Sequence, residues 1–315
     1  MKRLFILASA AIVALASCSK TQVVYNDAPE EIGFKAVTGV MTKAEQITTL
    51  NGDMGAYAFV NGGSTQYFSN VQFTQNGAVW TGNQYWPFAD NLDFVVYSPW
   101  ANTTTYDTAT KELTVTADNS STTNIEDQTD YLYGADYFDN DDAGFDKSTE
   151  SVPTALKHAL AKVTLHFTGA NVTVKSVTLE APCLSGAYVV DYSAATPKAS
   201  WTTATPAADV ELSAISDAPL APAVDDDPLT GEDETAPAKI AEASIMVVPA
   251  DDSDIIISYQ IDGSVTPLSK TIELNDTWDV GVHYKYNITI SPNEIKFSPS
   301  VNSWDSTETI PVPVQ

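Results

Sequence analysis

The chain has 315 residues, of which 41 are acidic and 15 basic, so its formal net charge at pH 7 is -26. This acidity argues against nucleic acid as a partner, because phosphate backbones are bound by basic surfaces, and against docking on an anionic membrane by charge. The abundance of Thr, Val, Tyr and Ser, broken by Gly and Pro, favours strands over helices, and the length suits about two domains.

The amino terminus has the pattern of a lipoprotein signal peptide. Lys2 and Arg3 precede an apolar run from Leu4 to Leu15, which leads into Ala16-Ser17-Cys18. The run is about a dozen residues long, short of the roughly 20 that a membrane-spanning helix needs. The end of the run resembles a lipobox, so we predict a signal peptide over residues 1–18 and lipidation at Cys18. The alternative is an ordinary secretory cleavage site with an incidental cysteine.

A strand is predicted after a short polar tether. Within residues 31–40, the side chains of Ile32, Phe34, Ala36 and Val40 fall on one face at the period of two that marks a β-strand. These four residues would therefore face a protein core.

The remaining chain consists of short strand candidates separated by turns, and Ala155–Phe167 alone also allows a helix at its start. The candidates are Gly55–Val60, Val71–Thr74, Ala78–Thr81, Leu92–Tyr97, Leu113–Thr116, Tyr131–Gly134, Ala155–Phe167, Val172–Leu179, Gly186–Tyr192, Glu211–Ile215, Ala243–Val248, Ile255–Ile261, Ser269–Leu274 and Tyr284–Ile290. Such spacing is typical of all-β sandwiches. We predict a boundary near Val152, with one sandwich over residues 44–152 and another over residues 153–315.

Catalytic and metal-binding motifs are sparse. No P-loop, dinucleotide fingerprint or Ser/His/Asp arrangement occurs, and the three histidines lack metal-ligand spacing. The loop Asp139–Glu150 approaches a calcium loop, but Ala143 offers no oxygen at the fifth position, so a solvated acidic turn is the preferred interpretation. Cys183 is expected to be a buried, inert thiol. We predict that the chain is not an enzyme and uses no metal or cofactor.

Several segments match a known family in their order and spacing, over nearly the whole chain. They are Cys18 with the residues before it, Ile32-Gly33-Phe34-Lys35-Ala36, Tyr85-Trp86-Pro87, Leu92-Asp93-Phe94-Val95-Val96-Tyr97, Asp130-Tyr131-Leu132-Tyr133, His158-Ala159-Leu160-Ala161-Lys162-Val163, and Trp278 with Gly281-Val282-His283-Tyr284-Lys285-Tyr286-Asn287-Ile288. Together they resemble the fimbrillin family of Bacteroidetes pilins.

The resemblance implies two tandem transthyretin-like β-sandwich domains in an exported lipoprotein. It further implies that proteolysis removes an amino-terminal strand and opens a groove, which a terminal strand of another pilin subunit fills. Removal of a paired strand exposes apolar pockets and unpaired backbone groups, and an incoming strand satisfies both.

The processing site is predicted at the bond between Lys43 and Ala44. Related pilins are cut by proteases specific for arginine or lysine, and Arg3 is the only arginine in the chain. A maturation protease of lysine or trypsin-like specificity would then release residues 19–43 as a propeptide. The alternative is that Lys43 is an ordinary surface lysine in an exposed loop.

The donor strand is predicted at the carboxyl end, where Ile310, Val312 and Val314 share one face of an extended segment. Pro311 and Pro313 lack amide hydrogens on the same edge, so such a strand pairs fully on one side only. The alternative is an edge strand of the subunit's own second sandwich.

These features predict a structural subunit of an adhesive pilus, with a lean towards the stalk. The precursor would be an outer-membrane lipoprotein and the mature form part of a cell-surface fimbrium, with a host or bacterial surface ligand as a possible further partner. The alternative is a tip adhesin or a surface glycan-binding lipoprotein, in which some of the six tryptophans stack on sugar rings.

Overall fold

The computed structural model describes residues 29–38, 52–63, 65–122, 124–137, 144–222, 224–225, 235–236, 238–250, 253–274, 277–304 and 310–311. Within these ranges the chain forms strands and turns without an α-helix. No helix there is long and apolar enough to span a membrane. The prediction of an all-β fold is confirmed.

The first nine strands cover the amino-terminal half of the chain. They are β1 (Glu31–Thr38), β2 (Met54–Val60), β3 (Gln66–Asn76), β4 (Val79–Tyr85), β5 (Leu92–Ser98), β6 (Thr105–Asp107), β7 (Glu112–Asp118), β8 (Leu132–Gly134) and β9 (Val152–His158).

Fourteen further strands follow in the described part of the carboxyl-terminal half. They are β10 (Ala161–Gly169), β11 (Val172–Leu179), β12 (Cys183–Asp191), β13 (Ala199–Pro206), β14 (Val210–Glu211), β15 (Ala218–Leu220), β16 (Val224–Asp225), β17 (Thr235–Ala236), β18 (Ala241–Val247), β19 (Ile255–Ile261), β20 (Leu268–Ile272), β21 (Val282–Ser291), β22 (Glu294–Ser303) and β23 (Ile310–Pro311).

Seven strands of the first half form a sheet that closes on itself, in the order β1-β4-β3-β2-β5-β8-β9, with β9 returning to pair with β1. We call it the closed sheet. Its interior is filled by aromatic and aliphatic side chains, including Phe34, Phe73, Trp80 and Phe94. Large aromatic side chains supply much of the burial in such small interiors.

A four-stranded sheet, ordered β13-β12-β7-β6, covers the outside of the closed sheet. A second core lies between them, in which Tyr57 and Tyr97 of the closed sheet meet Val115, Tyr188 and Val190 of the covering sheet. Because β7 pairs with β12, this sheet contains strands from both halves of the sequence.

Two five-stranded sheets, ordered β18-β10-β21-β22-β23 and β14-β11-β19-β20, share the third core. Alternate residues of β10, such as Val163, Leu165 and Phe167, are buried in it, as are Val174 and Val177 of β11. Strand β15 pairs with β11, and β16 and β17 form a small separate hairpin. This packing of two sheets face to face agrees with the predicted sandwich.

The halves of the chain meet through specific contacts around β18. The side-chain amide of Gln128 donates from Nε2 to the carbonyl of Met246 at 2.9 Å, and the Met246 amide donates back to Gln128 Oε1 at 2.7 Å. The side chain of Gln128 therefore satisfies backbone groups on the edge of β18 in the way that a neighbouring strand would.

The helical alternative at the start of Ala155–Phe167 is wrong, because this segment forms β9 and β10. Both strands are hydrogen-bonded to neighbouring strands, and this pairing overrides the local preference of the segment for a helix. The boundary near Val152 and the transthyretin-like detail stay predictions. In the structure, β9 belongs to the closed sheet and β12 pairs with β7.

Several predicted site residues lie outside the described residues, namely Cys18, Val40, Lys43, Ala44, Val312 and Val314.

Candidate functional site

Strand β1 lies between two strands of the closed sheet. On one side it runs antiparallel to β4, with Phe34 opposite Trp80. On the other side it runs parallel to β9, with Phe34 opposite Val152 and Ala36 opposite Thr154. A strand with neighbours on both edges contributes to two hydrogen-bonded ladders. The closed sheet is therefore complete only while a strand occupies the β1 position.

Three side chains of β1 point into the interior of the closed sheet. Ile32, Phe34 and Ala36 have no exposed surface. The ring of Phe34 stands edge-on to Phe73, with centroids 4.8 Å apart, and to Phe94, with centroids 5.1 Å apart. Edge-to-face contacts at these separations are favourable. The shared inward face agrees with the period of two in the sequence, whereas the removal of the strand stays a prediction.

Two tryptophans belong to the same core as Phe34. Trp80 is fully buried and Trp86 is 7% exposed. Neither indole Nε1 has a hydrogen-bond partner among the residues that the structure describes. Buried polar groups are normally satisfied, and an unsatisfied one costs roughly 1–3 kcal/mol. In the described structure, both indoles therefore place a donor without a partner in this core.

Strand β1 is also held by hydrogen bonds that do not belong to its two ladders. The amide of Trp86 donates to the Glu30 carbonyl at 2.9 Å, and the amide of Asn83 donates to Glu31 Oε1 at 2.9 Å. On the opposite edge, Thr154 Oγ1 donates to the Lys35 carbonyl at 3.1 Å. These bonds fix the register of β1 at its beginning and at its middle.

Loss of β1 would leave a groove of definite shape. Its floor would be the pockets of Ile32, Phe34 and Ala36, and its walls would be the unpaired edges of β4 and β9. Each large apolar side chain withdrawn from such a pocket forfeits roughly 1.5–3 kcal/mol of burial, and the free edges invite another strand. We call this the β1 groove.

Residues 310–311 form the outermost described strand of a sheet. In β23, Ile310 is opposite Val301 and Pro311 is opposite Ser300, both in β22. Strand β23 has two residues and pairs with β22 alone in the described structure. A strand at such an edge separates from its sheet more readily than one with two neighbours.

Trp304, which precedes this segment, is held by side-chain and backbone contacts. Trp304 stacks on His158 with ring centroids 4.1 Å apart and planes at 5°, and its amide donates to the Gly281 carbonyl at 3.0 Å. His158 Nδ1 in turn lies 2.8 Å from Asp130 Oδ2. Local periodicity does not predict this cluster, because its members are far apart along the chain.

A comparison with protein families identifies the family of this chain. A family model described as fimbrillin-like matches residues 22–304. The chain belongs to the fimbrillin-like family. No curated protein matches the sequence.

Three solved structures share the fold of this fimbrillin-like chain. A candidate cell adhesion protein from Bacteroides uniformis is 20% identical, with a TM-score of 0.55 over 87% of this chain and 99% of the other. A fimbrial protein from Bacteroides vulgatus is 15% identical, with a TM-score of 0.57 over 86% and 99%. A candidate cell adhesion protein from Bacteroides ovatus is 15% identical, with a TM-score of 0.51 over 88% and 98%.

The acidic loop of the fimbrillin-like chain is described only from Gly144 onwards. There, Asp146 accepts hydrogen bonds from the hydroxyl and the amide of Ser148, and these bonds hold the pKa of its carboxyl below the usual value. Such bonds are typical of a turn that satisfies its own backbone. Among the described residues, no group of three His, Cys, Asp or Glu side chains is placed to hold a metal ion.

The histidines have structural partners. His166 Nδ1 lies 2.8 Å from Glu242 Oε2, and His283 Nε2 is hydrogen-bonded to Thr164 Oγ1 at 2.8 Å. Burial, together with the nearby Lys162 and Lys285 cations, lowers the pKa of His283 to about 4. His283 is therefore neutral at physiological pH.

The exposed aromatic side chains are not the tryptophans that the sequence suggested as sugar platforms. All six tryptophans are buried or half-buried. The exposed aromatic residues in the described structure are Tyr67, Tyr85 and Phe88, at 40%, 43% and 77% exposure. Phe88 also lies under the Lys147 ammonium, with Nζ 4.8 Å from the ring centroid.

Proposed function

We propose that this fimbrillin-like chain is a structural subunit of a cell-surface pilus and polymerises by strand exchange at the β1 groove. The observation that carries the proposal is the position of β1. It is the first described strand, its three inward side chains fill the closed sheet, and it has neighbours on both edges. Replacement of such a strand by one from another molecule creates a strong link between subunits without changing the fold.

The precursor is exported as a lipoprotein in this account. Lipidation at Cys18 anchors it to the outer membrane, and a protease of lysine or trypsin-like specificity then hydrolyses the bond between Lys43 and Ala44. The cut frees β1 from the body of the subunit, since β1 ends before that bond. After the cut, β1 is held only by non-covalent contacts, and a competing strand can take its place.

The donor is the carboxyl-terminal strand of a neighbouring subunit. Ile310, Val312 and Val314 occupy the pockets that Ile32, Phe34 and Ala36 leave. Both sets have the same period of two, so one register fits all three side chains. Among the described residues β23 pairs with β22 on one edge only, so its release leaves the other ladders of the subunit in place.

The mature protein then belongs to the fimbrium and depends on its neighbours for attachment to the cell. Its partners are other pilin subunits. The protein forms part of the stalk and contributes to adhesion, and it carries out no enzymatic reaction. We prefer this function to glycan binding by a surface lipoprotein, because no tryptophan is exposed to stack on a sugar ring.

A processing experiment tests the proposal. Purified precursor and the variant Lys43→Gln are treated with a trypsin-like protease, then imaged by electron microscopy, and the new amino terminus is sequenced. A matched control is Lys270→Gln, at an exposed position of β20. The proposal predicts filaments whose subunits begin at Ala44 for the precursor and the control, and no filaments for Lys43→Gln. Assembled material that begins upstream of Ala44 would refute this processing site.

A further inference from the structure

Strand β18 lies at one end of its sheet, and its outer edge is only partly closed. It pairs with β10 on one side, and none of the other described strands pairs with it on the other. The Val248 amide donates to the Cys183 carbonyl at 2.9 Å, and the side chain of Gln128 bonds both backbone groups of Met246. These contacts close the outer edge at its carboxyl-terminal end.

The earlier part of this edge presents backbone groups that nothing in the described structure pairs. Because β10 and β18 run antiparallel in an unbroken register, every second residue of β18 directs its amide and carbonyl away from β10. Met246 is one such residue, and Ser244 and Glu242 are the next two. The 2.7 Å contact between Ser244 Oγ and Thr164 Oγ1 agrees, since side chains approach closely where two opposite residues exchange no backbone bonds.

We call Ser244 and Glu242 the open edge of β18. Their outward amides and carbonyls have no hydrogen-bond partner among the described residues. A free sheet edge is a template for another strand. The open edge therefore has the backbone chemistry of a strand-docking site.

A cavity of about 240 Å³ adjoins the open edge. Its walls are Glu242, Ala243 and Ser244 of β18, residues 124–126 of one turn and residues 212–214 of another. Ala243 and the side chain at position 212 also belong to the core of the sandwich, so part of the lining is apolar. Pockets for small molecules usually have roughly 300–1,000 Å³. The cavity is better suited to a single side chain of a strand that lies along the edge.

The charge at the cavity favours a basic occupant. Glu126 lies on its wall and has no ion-pair partner among the described residues, whereas Glu242 is bound by His166 and Lys285. The formal charge of -26 on the whole chain opposes the approach of a second copy. A lysine or arginine side chain can cover the apolar lining with its stem and keep its charged end beside Glu126.

We propose that the open edge of β18 is a docking site for an extended, basic segment of a partner protein. The segment adds a strand to the sheet at Ser244 and Glu242, and one of its lysine or arginine side chains enters the cavity beside Glu126. Backbone hydrogen bonds supply the affinity in this mode of binding, and the side-chain pocket supplies the specificity. The site lies in a different sheet from β1, so it does not depend on strand exchange at the β1 groove.

Three synthetic peptides of about six residues, the usual length of a strand, test the site. The first alternates lysine with valine, and the second has glutamate in place of each lysine. The third has the sequence of the first with its three central amides methylated, which keeps the charge but prevents strand pairing. Binding to the protein is followed by NMR at the backbone amides of Ser244 and Glu242.

We expect the lysine peptide to bind saturably with a Kd below about 1 mM and to shift the amide signals of Ser244 and Glu242. The glutamate and methylated peptides should not bind. No binding of the lysine peptide up to about 5 mM, or equal binding of either other peptide, would overturn the proposal. Saturable binding that leaves both amide signals unchanged would also overturn it.

Substitutions test the contacts one at a time. Ser244→Pro removes an outward amide, at a position where an edge strand tolerates proline. Ser244→Ala is its matched control, because it loses the same hydroxyl and keeps the amide. We expect Ser244→Pro to raise the Kd of the lysine peptide about tenfold, and Ser244→Ala to leave it unchanged.

Glu126→Gln tests the charge at the cavity without changing the backbone. It should raise the Kd of the lysine peptide about threefold and make it less sensitive to salt. Circular dichroism shows whether each variant is folded, and Glu126→Gln decides the matter if Ser244→Pro is not. Wild-type affinity in either folded variant would overturn the proposal.

Discussion

The ring of Phe34 in β1 stands edge-on to the ring of Phe73 in β3, with centroids 4.8 Å apart and planes at 79°. Strands β1 and β3 are not neighbours in the sheet, because β4 lies between them. The two rings therefore meet across the interior of the closed sheet. Whatever strand occupies the β1 position must supply a side chain that fills this space.

Phe34→Ala is expected to lower the free energy of unfolding of the precursor by about 3–5 kcal/mol, the usual cost of emptying a buried phenylalanine site. Urea denaturation followed by tryptophan fluorescence measures it. Lys35→Ala is the matched control, because Lys35 is exposed and should change stability by less than about 0.5 kcal/mol. If Phe34→Ala changed the free energy of unfolding as little as the control does, the side chain of Phe34 would contribute little to the core.

Deletion of residues 310–315 is expected to abolish polymers and leave a folded monomer. The deleted segment includes β23, which pairs with β22 over two residues, so the sheets beneath it keep their ladders. Size-exclusion chromatography with light scattering and circular dichroism measure the two outcomes. Persisting polymers would exclude this segment as the donor, and an unfolded product would show that β23 is essential to the subunit.

Gln128→Ala is expected to destabilise the protein by about 1–3 kcal/mol, because it leaves the amide and carbonyl of Met246 without their partners in a buried setting. Thermal unfolding of the cleaved and uncleaved proteins measures the change. Gln66→Ala, at an exposed position of β3, serves as the control. A negligible effect at position 128 would mean that water replaces the lost bonds.

The stability of the protein is expected to fall as the pH drops from about 6.5 towards 4, with a contribution from His283. Its pKa is lowered from 6.5 to about 4 in the folded protein by burial and by Lys162 and Lys285. The unfolded chain therefore binds a proton that the folded chain refuses, and stability present above pH 6.5 is lost through this window. His283→Gln should flatten the dependence in urea unfolding; an unchanged slope would contradict this role.

Much of the fold follows from local sequence pattern. Val172–Leu179 and Ile255–Ile261 are strands with the bounds that their alternation predicts. By contrast, β22 alternates Ile295, Phe297 and Val301 with polar residues but carries Pro299 within its span, which argues against a strand, and β13 is rich in threonine and largely exposed. Both are identified by pairing with long neighbours, β21 and β12, rather than by their own residues.

The candidate site was predictable in part. The spacing of Ile32, Phe34 and Ala36 predicts their common inward face. The parallel partnership of β1 with β9 joins Phe34 to Val152 across more than a hundred residues, and such pairing depends on the whole topology. The stacking of Trp304 on His158 follows from the same long-range arrangement, which local periodicity does not determine.

In the proposed assembly, the carboxyl-terminal strand fills the β1 groove of another subunit. The most direct measurement is the thermal stability of a cleaved subunit that lacks residues 310–315, with and without a synthetic peptide of residues 305–315. We expect saturable binding and a rise in Tm with peptide concentration, and no effect of a peptide in which Ile310, Val312 and Val314 are serine. Failure of the native peptide to bind, while the full-length cleaved chain still forms filaments, would exclude the carboxyl-terminal strand as the one that fills the β1 groove.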